Sequence, residues 1–238
     1  MAVPPPHRPR VVRWLNRLGP LVAPRWPSLD PDAMIESAAK KARSDQFGPC
    51  DFRERLQRIV DAVNEEANLH WIGRLAVRQS LEGILQSRFE VYRHRAEHPE
   101  IDGVPIEKPV FIVGLARSGT TILFNLLAQD PANRAPYSWE VQYPDPPAEG
   151  DSFHTDARIK KAEKYFGQMD QMAPELAAIH EVGATLPQEC MPFMAHTLLT
   201  PQPWWVYNIP GYQAWVDRQL SLIHISEPTR HYCQSRLT

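Results

Sequence analysis

"KPVFIVGLARSGTTILFNLLAQDP", residues 108–131, decides how this chain is read. Its "PVFIVG" is a short unbroken apolar run with β-branched residues, the pattern of a strand buried on both faces. Gly114 and Gly119 then bracket four residues. Ile122, Leu123, Leu126 and Leu127 give the following segment one apolar helical face, and Asp130-Pro131 stops it. Strand, glycine turn and helix in that order form the first half of a βαβ unit. The expected fold is therefore α/β, a P-loop-like parallel sheet flanked by helices, incomplete within this chain and preceded by an α-helical N-terminal region.

The two glycines have the spacing of the phosphate loop G-x-x-x-x-G-K-[ST]. Glycines let the backbone turn tightly, successive N–H groups converge, and the helix N-terminus adds positive potential. In a nucleoside triphosphatase the lysine reaches the β- and γ-phosphates, and the next hydroxyl holds Mg²⁺. Here Thr120 stands at the lysine position, Thr121 keeps the hydroxyl, and Arg117 lies inside the loop. An arginine keeps its charge and offers several donors to an oxyanion. With Ser118, Thr120 and Thr121 adding hydroxyls, the loop suits a single terminal phosphate, or a phosphate bearing another anion. A metal-bound triphosphate suits it less. The plain alternative is a glycine turn that only packs helix on strand, and the strand and helix on either side weigh against it.

"PVFIVGLARSGTT" resembles the cofactor loop of the sulfotransferases, which use 3′-phosphoadenosine 5′-phosphosulfate (PAPS). The resemblance extends through "LLAQDPANRAPYSWEVQYPDPP" and "LPQECMPFMAH" and covers roughly residues 30–219. It is to the bacterial-type branch with a helical N-terminal extension. It implies that Ala116, Arg117, Ser118, Gly119, Thr120 and Thr121 grip the 5′-phosphosulfate, with Arg117 steadying the sulfuryl group and the leaving oxygen. It implies no metal, and an acceptor hydroxyl on a small molecule, lipid or glycan. Ala116 departs from the proline common at that position; the looser loop is expected to change affinity rather than chemistry.

Sulfuryl transfer needs in-line positioning, donors where charge builds on the leaving phosphate, and a base for the acceptor proton. Glu140 in "YSWEVQYP" is the candidate base, because it follows the loop helix closely and related enzymes place a glutamate in the corresponding stretch. The alternative is that Glu140 pairs with Arg134 or caps a turn. His154, His180 and His196 are runner-up bases, each more readily read as structural. Trp204, Trp205 and Tyr207 would line an apolar acceptor pocket or pack a core.

The rest of the chain reads as four stretches. Residues 1–29 form a Pro-rich arm with Arg8, Arg10, Arg13, Arg17 and Arg25 and no acid. Beside Trp14, Leu15, Leu18 and Trp26 it fits weak contact with an anionic membrane surface, or a solvated tail folded over the domain. Residues 30–99 read as helical. Asp30 is an N-cap with Pro31 behind it. Leu56, Ile59, Val60 and Val63 form one apolar stripe, and Ile72, Leu75, Leu81, Ile84, Leu85 and Phe89 another. Residues 105–219 are the N-terminal part of the sulfotransferase-like domain, with a helix up to Pro174 and another capped by Thr185 and Gln188. Residues 220–238 read as non-native: "LSLIHISEPTR" matches the translation of a transposon-end sequencing adapter. On that reading the natural sequence continues beyond Gln219, and the arginine and serine that hold the 3′-phosphate in the family lie outside this chain.

The chain has 238 residues, 43% of them hydrophobic, enough for a sizeable core, and 24 prolines, about twice the usual share of roughly 5%. Its net charge of −2 speaks against a general nucleic-acid binder. That figure hides a balance of +4 over residues 1–98 and −6 over the remainder. Cys50, Cys190 and Cys233 show neither metal spacing nor a disulfide framework, so a reducing, cytoplasmic setting is expected. Two other classes compete: a kinase-like P-loop enzyme lacking its lysine, and a non-enzymatic helical adaptor working through residues 28–98.

Overall fold

The computed structural model describes residues 9–22, 27–48, 52–105, 107–115, 118–172 and 181–225. Along the chain run α1 (Arg10–Val22), α2 (Pro31–Ala42), α3 (Arg53–Glu65), α4 (Trp71–Glu97), α5 (Thr120–Leu127), α6 (Ser138–Gln142), α7 (Ala157–Met172), α8 (Cys190–Met194), α9 (Gln202–Val206) and α10 (Pro210–Ile225). The chain divides into two units, residues 1–93 with 190–238, and residues 94–189.

The first unit is helical; residues 30–99, expected to be helical, supply α2, α3 and α4, and the expected signals carry them. The Asp30 side chain accepts the N–H groups of Asp32 and Ala33 at 3.0 and 3.4 Å, capping α2 with Pro31 in its first turn. At the other end Arg43 turns left-handed (φ 52°), and its N–H closes on Ala39 and Lys40 carbonyls. The predicted stripe Leu56, Ile59, Val60 and Val63 is buried, and it meets Met34 and Ala38 of α2 and Val77, Leu81, Leu85 and Phe89 of α4. Tyr212, Trp215 and Val216 of α10 complete this core.

Two buried polar features hold the same unit. Glu82 accepts from Lys41 at 2.6 Å, Arg78 at 2.9 Å and Ser37 at 3.3 Å. Burial alone would raise its carboxyl; the hydrogen bonds from Lys41 and Arg78 outweigh it and hold the group below the ordinary carboxylate range. The Arg88 guanidinium lies 4.9 Å from the Phe52 ring centre and 4.7 Å from that of Tyr92, and donates to the His196 carbonyl at 2.7 Å. Arg55 likewise donates to the Thr197 carbonyl at 2.8 Å. These bonds tie the segment after α8 to α3 and α4.

In the second unit Trp139, Ala162 and Ala184 are buried, with Tyr137, Tyr143, Phe153, Ile159 and Phe166 packed around them. Arg158 lies 4.8 Å from the Trp139 ring centre and donates to the Tyr143 carbonyl at 3.0 Å and to Asp156 at 2.6 Å. Its hydrogen bond to Asp156, against a smaller opposing effect of burial, holds that carboxyl low.

The expected sheet is not seen among the described residues. Residues 109–113 run without helix or strand pairing, and no β-strand occurs among the described residues beyond one antiparallel bridge, Tyr137 with Pro187. Instead of being buried on both faces, Phe111 is 82% and Val113 is 91% exposed. Ile122 and Leu126 of α5 are exposed too. A strand obtains its hydrogen bonds only from a neighbouring strand. None of the described residues supplies one, so among them the apolar run has no strand to pair with.

A second correction concerns Thr185, expected to cap a helix together with Gln188. The helix starts later, at Cys190. The residues between are held instead against the start of α6, with Ser138 N–H on the Leu186 carbonyl at 2.9 Å and Trp139 N–H on that of Ala184 at 3.0 Å. The predicted stop of α4 before Pro99 is seen, with α4 ending at Glu97. Helix α10 runs across Gln219 to Ile225; residues 226–238 lie outside the described set.

Candidate active site

The candidate site is the turn into α5 and what surrounds it. Gly119 sits at φ 90°, the left-handed region that favours glycine, and is the N-cap of α5. At Gly114 an added Cβ would lie 2.7 Å from Ser118 Oγ and 2.8 Å from the Thr120 methyl, so a larger residue there would displace those two side chains. Of the two, Gly119 is the one whose backbone conformation calls for glycine. The first turn of α5, from Thr120, presents amides that have no intrahelical partner. Ala116 and Arg117, expected within the grip of the loop, lie outside the described residues.

The hydroxyls are already engaged. Ser118 Oγ donates to the Leu115 carbonyl at 2.6 Å, closing the turn on itself. Thr121 Oγ1 donates to Glu189 Oε1 at 3.0 Å. Glu189 is held in turn: its N–H donates to Gln188 Oε1 at 3.0 Å, and the Gln188 N–H donates to the Pro136 carbonyl at 2.8 Å. Gln188 Nε2 also reaches Ser138 Oγ at 3.3 Å. A short chain of hydrogen bonds thus runs from the loop hydroxyl Thr121, through Glu189 and Gln188, to the start of α6.

Glu140 stands on α6, one residue beyond Trp139, whose burial fixes that short helix. Its side chain is 12% exposed and both carboxylate oxygens are engaged. Oε1 accepts from Arg134, and Oε2 accepts the Tyr137 N–H at 2.8 Å. The two structural roles weighed for Glu140 in the sequence, pairing with Arg134 and capping a turn, are both present. A carboxylate oxygen has a second lone pair, so the group keeps acceptor capacity.

Among the histidines, His196 belongs to the first unit, where burial and then the nearby Arg88 lower it from 6.5 to about 4, so it is a neutral packing residue. His154 is exposed, with its ring edge-on to Phe153. His180 lies outside the described residues. Trp205 is exposed and Tyr207 packs on the first unit's core; the Trp204 side chain is not among those described. No group of three His, Cys, Asp or Glu among the described residues is arranged to hold a metal.

Glu189 is the residue that sequence reading missed. It lies in "LPQEC", 68 positions from its partner, and no periodicity links the two. The one available signal is that Glu189 follows Gln188, which the sequence pairs with Thr185 as a capping box, directly before a helix start.

A family model described as "Sulfotransferase family" matches residues 109–230. Two solved structures are similar. Sulfotransferase STF1 from Mycobacterium tuberculosis H37Rv is 29% identical with a TM-score of 0.69, covering 79% of this chain and 52% of its own. Sulfotransferase STF9 from Mycobacterium avium is 27% identical, also with a TM-score of 0.69, covering 78% of this chain and 48% of its own. The chain spans about half the length of either mycobacterial protein. No curated protein matches it.

Proposed function

Since the chain belongs to the sulfotransferase family, we propose that residues 114–121 bind the 5′-phosphosulfate of PAPS and that the whole protein passes its sulfuryl group to an acceptor hydroxyl. The observation that carries this is the glycine geometry. A Cβ at Gly114 would meet Ser118 and Thr120, and Gly119 turns left-handed at the start of a helix whose first amides have no intrahelical partner. The acceptor oxygen attacks sulfur, the bond from sulfur to the bridging oxygen breaks, and its electron pair goes to the 5′-phosphate of adenosine 3′,5′-bisphosphate. Arg117, Ser118, Thr120, Thr121 and the amides around Ala116 and Gly119 take up that charge, so the step calls for no metal. The acceptor proton goes to a carboxylate, and Glu140 is assigned to it. A second reading gives that proton to Glu189, because Glu189 touches a loop hydroxyl. Glu140→Gln and Glu189→Gln separate the two: the base variant should lose about 10² to 10⁴ in kcat, the other far less. The acceptor is a small molecule, lipid or glycan hydroxyl in a cytoplasmic setting, and no described helix is long and apolar enough to cross a membrane.

The 238-residue chain alone is expected to bind PAPS weakly, to turn over no acceptor and to self-associate. The exposure of Phe111, Val113, Ile122 and Leu126 supports that expectation. Soluble, active enzyme from this chain alone would overturn it. Sequencing the gene across codon 219 and measuring thermal shifts on the protein it encodes tests the family reading itself. Adenosine 3′,5′-bisphosphate at 100 times its Kd should stabilise by about 2.7 kcal/mol. ATP with Mg²⁺ stabilising instead would make it a kinase, and neither doing so an adaptor. Arg117→Ala should abolish the shift.

A further inference from the structure

The outer face of α1 is not used by any of this. Its attachment to the first unit is definite: Asn16 Oδ1 accepts the N–H of Ile72 at the start of α4, at 2.9 Å. Gly19 lies so close to the Trp71 ring that an added Cβ would sit 2.5 Å from it. Asn16 and Gly19 therefore define the inward face of α1. On the outward side, Val11, Trp14, Leu18 and Leu21 recur at i, i+3, i+7 and i+10, one stripe of an α-helix. Trp14 is 63% exposed and Leu21 is 76% exposed, while Leu18 is half-buried. Arg10, Arg13 and Arg17 run along one edge of that stripe, and α1 contains no acid.

We propose that this face of α1 docks the protein in the plane of an anionic lipid bilayer. An apolar stripe with a bulky indole, bordered by arginines, is the pattern of a helix lying at the headgroup boundary. Thirteen residues span about 20 Å, so the helix lies on the surface and does not cross it. Charge complementarity selects the occupant. The arginine row finds no carboxylate on a second copy of α1 and would face its own kind there. Nucleic acid would satisfy the arginines but leave Val11, Trp14 and Leu21 in water. A bilayer carrying acidic headgroups takes both. The indole of Trp14 suits the interface because its ring is apolar and its N–H can stay hydrated.

The test uses the full 238-residue chain, translated in vitro with vesicles and then floated through a density gradient, so that aggregates sink and bound protein rises. Phosphatidylcholine vesicles are compared with phosphatidylcholine–phosphatidylserine vesicles. The chain should favour the anionic vesicles by about a hundredfold, from three arginines near the surface. Raising the salt should shrink that preference. Arg10→Gln, Arg13→Gln and Arg17→Gln together should remove it, while the triple Lys variant keeps it. Trp14→Ala with Leu21→Ala should cut binding to anionic vesicles at least tenfold. These positions are exposed, so urea unfolding should not change. Equal flotation with both vesicle types, or with neither, overturns the proposal. So does a concentration-dependent dimer that the Trp14 and Leu21 changes abolish.

Discussion

The stripe on α3 and the run "PVFIVG" are comparably apolar, yet Leu56, Ile59, Val60 and Val63 are buried and Phe111 and Val113 are exposed. The difference lies in where each segment finds its hydrogen bonds. A helix closes its own backbone bonds within four residues and asks its surroundings only for apolar contact. The partners of α3 lie near in the chain, on α2 and α4, and also far along it, on α10. A strand depends on other strands for both, and residues 109–113 have no strand partner among the described residues. The first unit shows that helices, each closing its own backbone bonds, can pack one core from near and distant parts of the chain. The loop region shows an apolar segment that cannot.

The sharpest way to break this comparison is to truncate one phenylalanine in each region. Phe89→Ala, in the first unit's core, should cost about 3–5 kcal/mol in urea unfolding. Phe111→Ala should change stability by no more than about 0.5 kcal/mol. Equal costs would mean that Phe111 is covered in solution and the contrast is void.

Next in size is a pH effect confined to the helical unit. His196 is neutral in the folded chain, with its pKa lowered from 6.5 to about 4 by burial and by Arg88. The unfolded chain takes up a proton below pH 6.5 and the folded chain only near pH 4, so stability is full above 6.5 and falls between those values. The loss amounts to about 3 kcal/mol. His196→Gln should flatten the profile in that window, as read by unfolding at a series of pH values. An unchanged slope would show that another group drives it.

The loop gives a smaller effect. Gly119→Ala places a Cβ at φ 90° and should cost about 1–2 kcal/mol if the turn is held as seen. No measurable cost would mean that the loop is free to relax. Smallest is the cap of α2: Asp30→Ala should cost about 1 kcal/mol, since it leaves the N–H groups of Asp32 and Ala33 without their acceptor.

The same physics separates what was legible in the sequence from what was not. Asp30, the 56–63 stripe, Leu81, Leu85, Phe89 and the stop before Pro99 were readable because a helix writes its periodicity and its ends into neighbouring residues. The glycine turn was readable too, since Gly119 takes a left-handed backbone that favours glycine and Gly114 packs closely on Ser118 and Thr120. The burial of "PVFIVG" was not, because a strand pattern states an appetite for partners without showing that they are present. The two roles of Glu140 could be named, but their coexistence depends on Arg134 and the Tyr137 amide arriving together. Glu189 was hidden because its partner Thr121 is brought to it only by folding.

The bond from Thr121 to Glu189 has a consequence for any ligand. A threonine hydroxyl has a single hydrogen, and here a carboxylate of the protein itself already receives it. Glu189 is thus a resident competitor, tethered at a fixed effective concentration, for the position an incoming oxyanion needs. Apparent affinity is lowered by the fraction of molecules in which that hydroxyl is taken. A small carboxylate such as acetate would then gain nothing by displacing one carboxylate contact with another. Under the proposed phosphosulfate binding, a ligand that also engages the loop amides and Arg117 would make the exchange favourable, and the loop would carry its own filter against small anions.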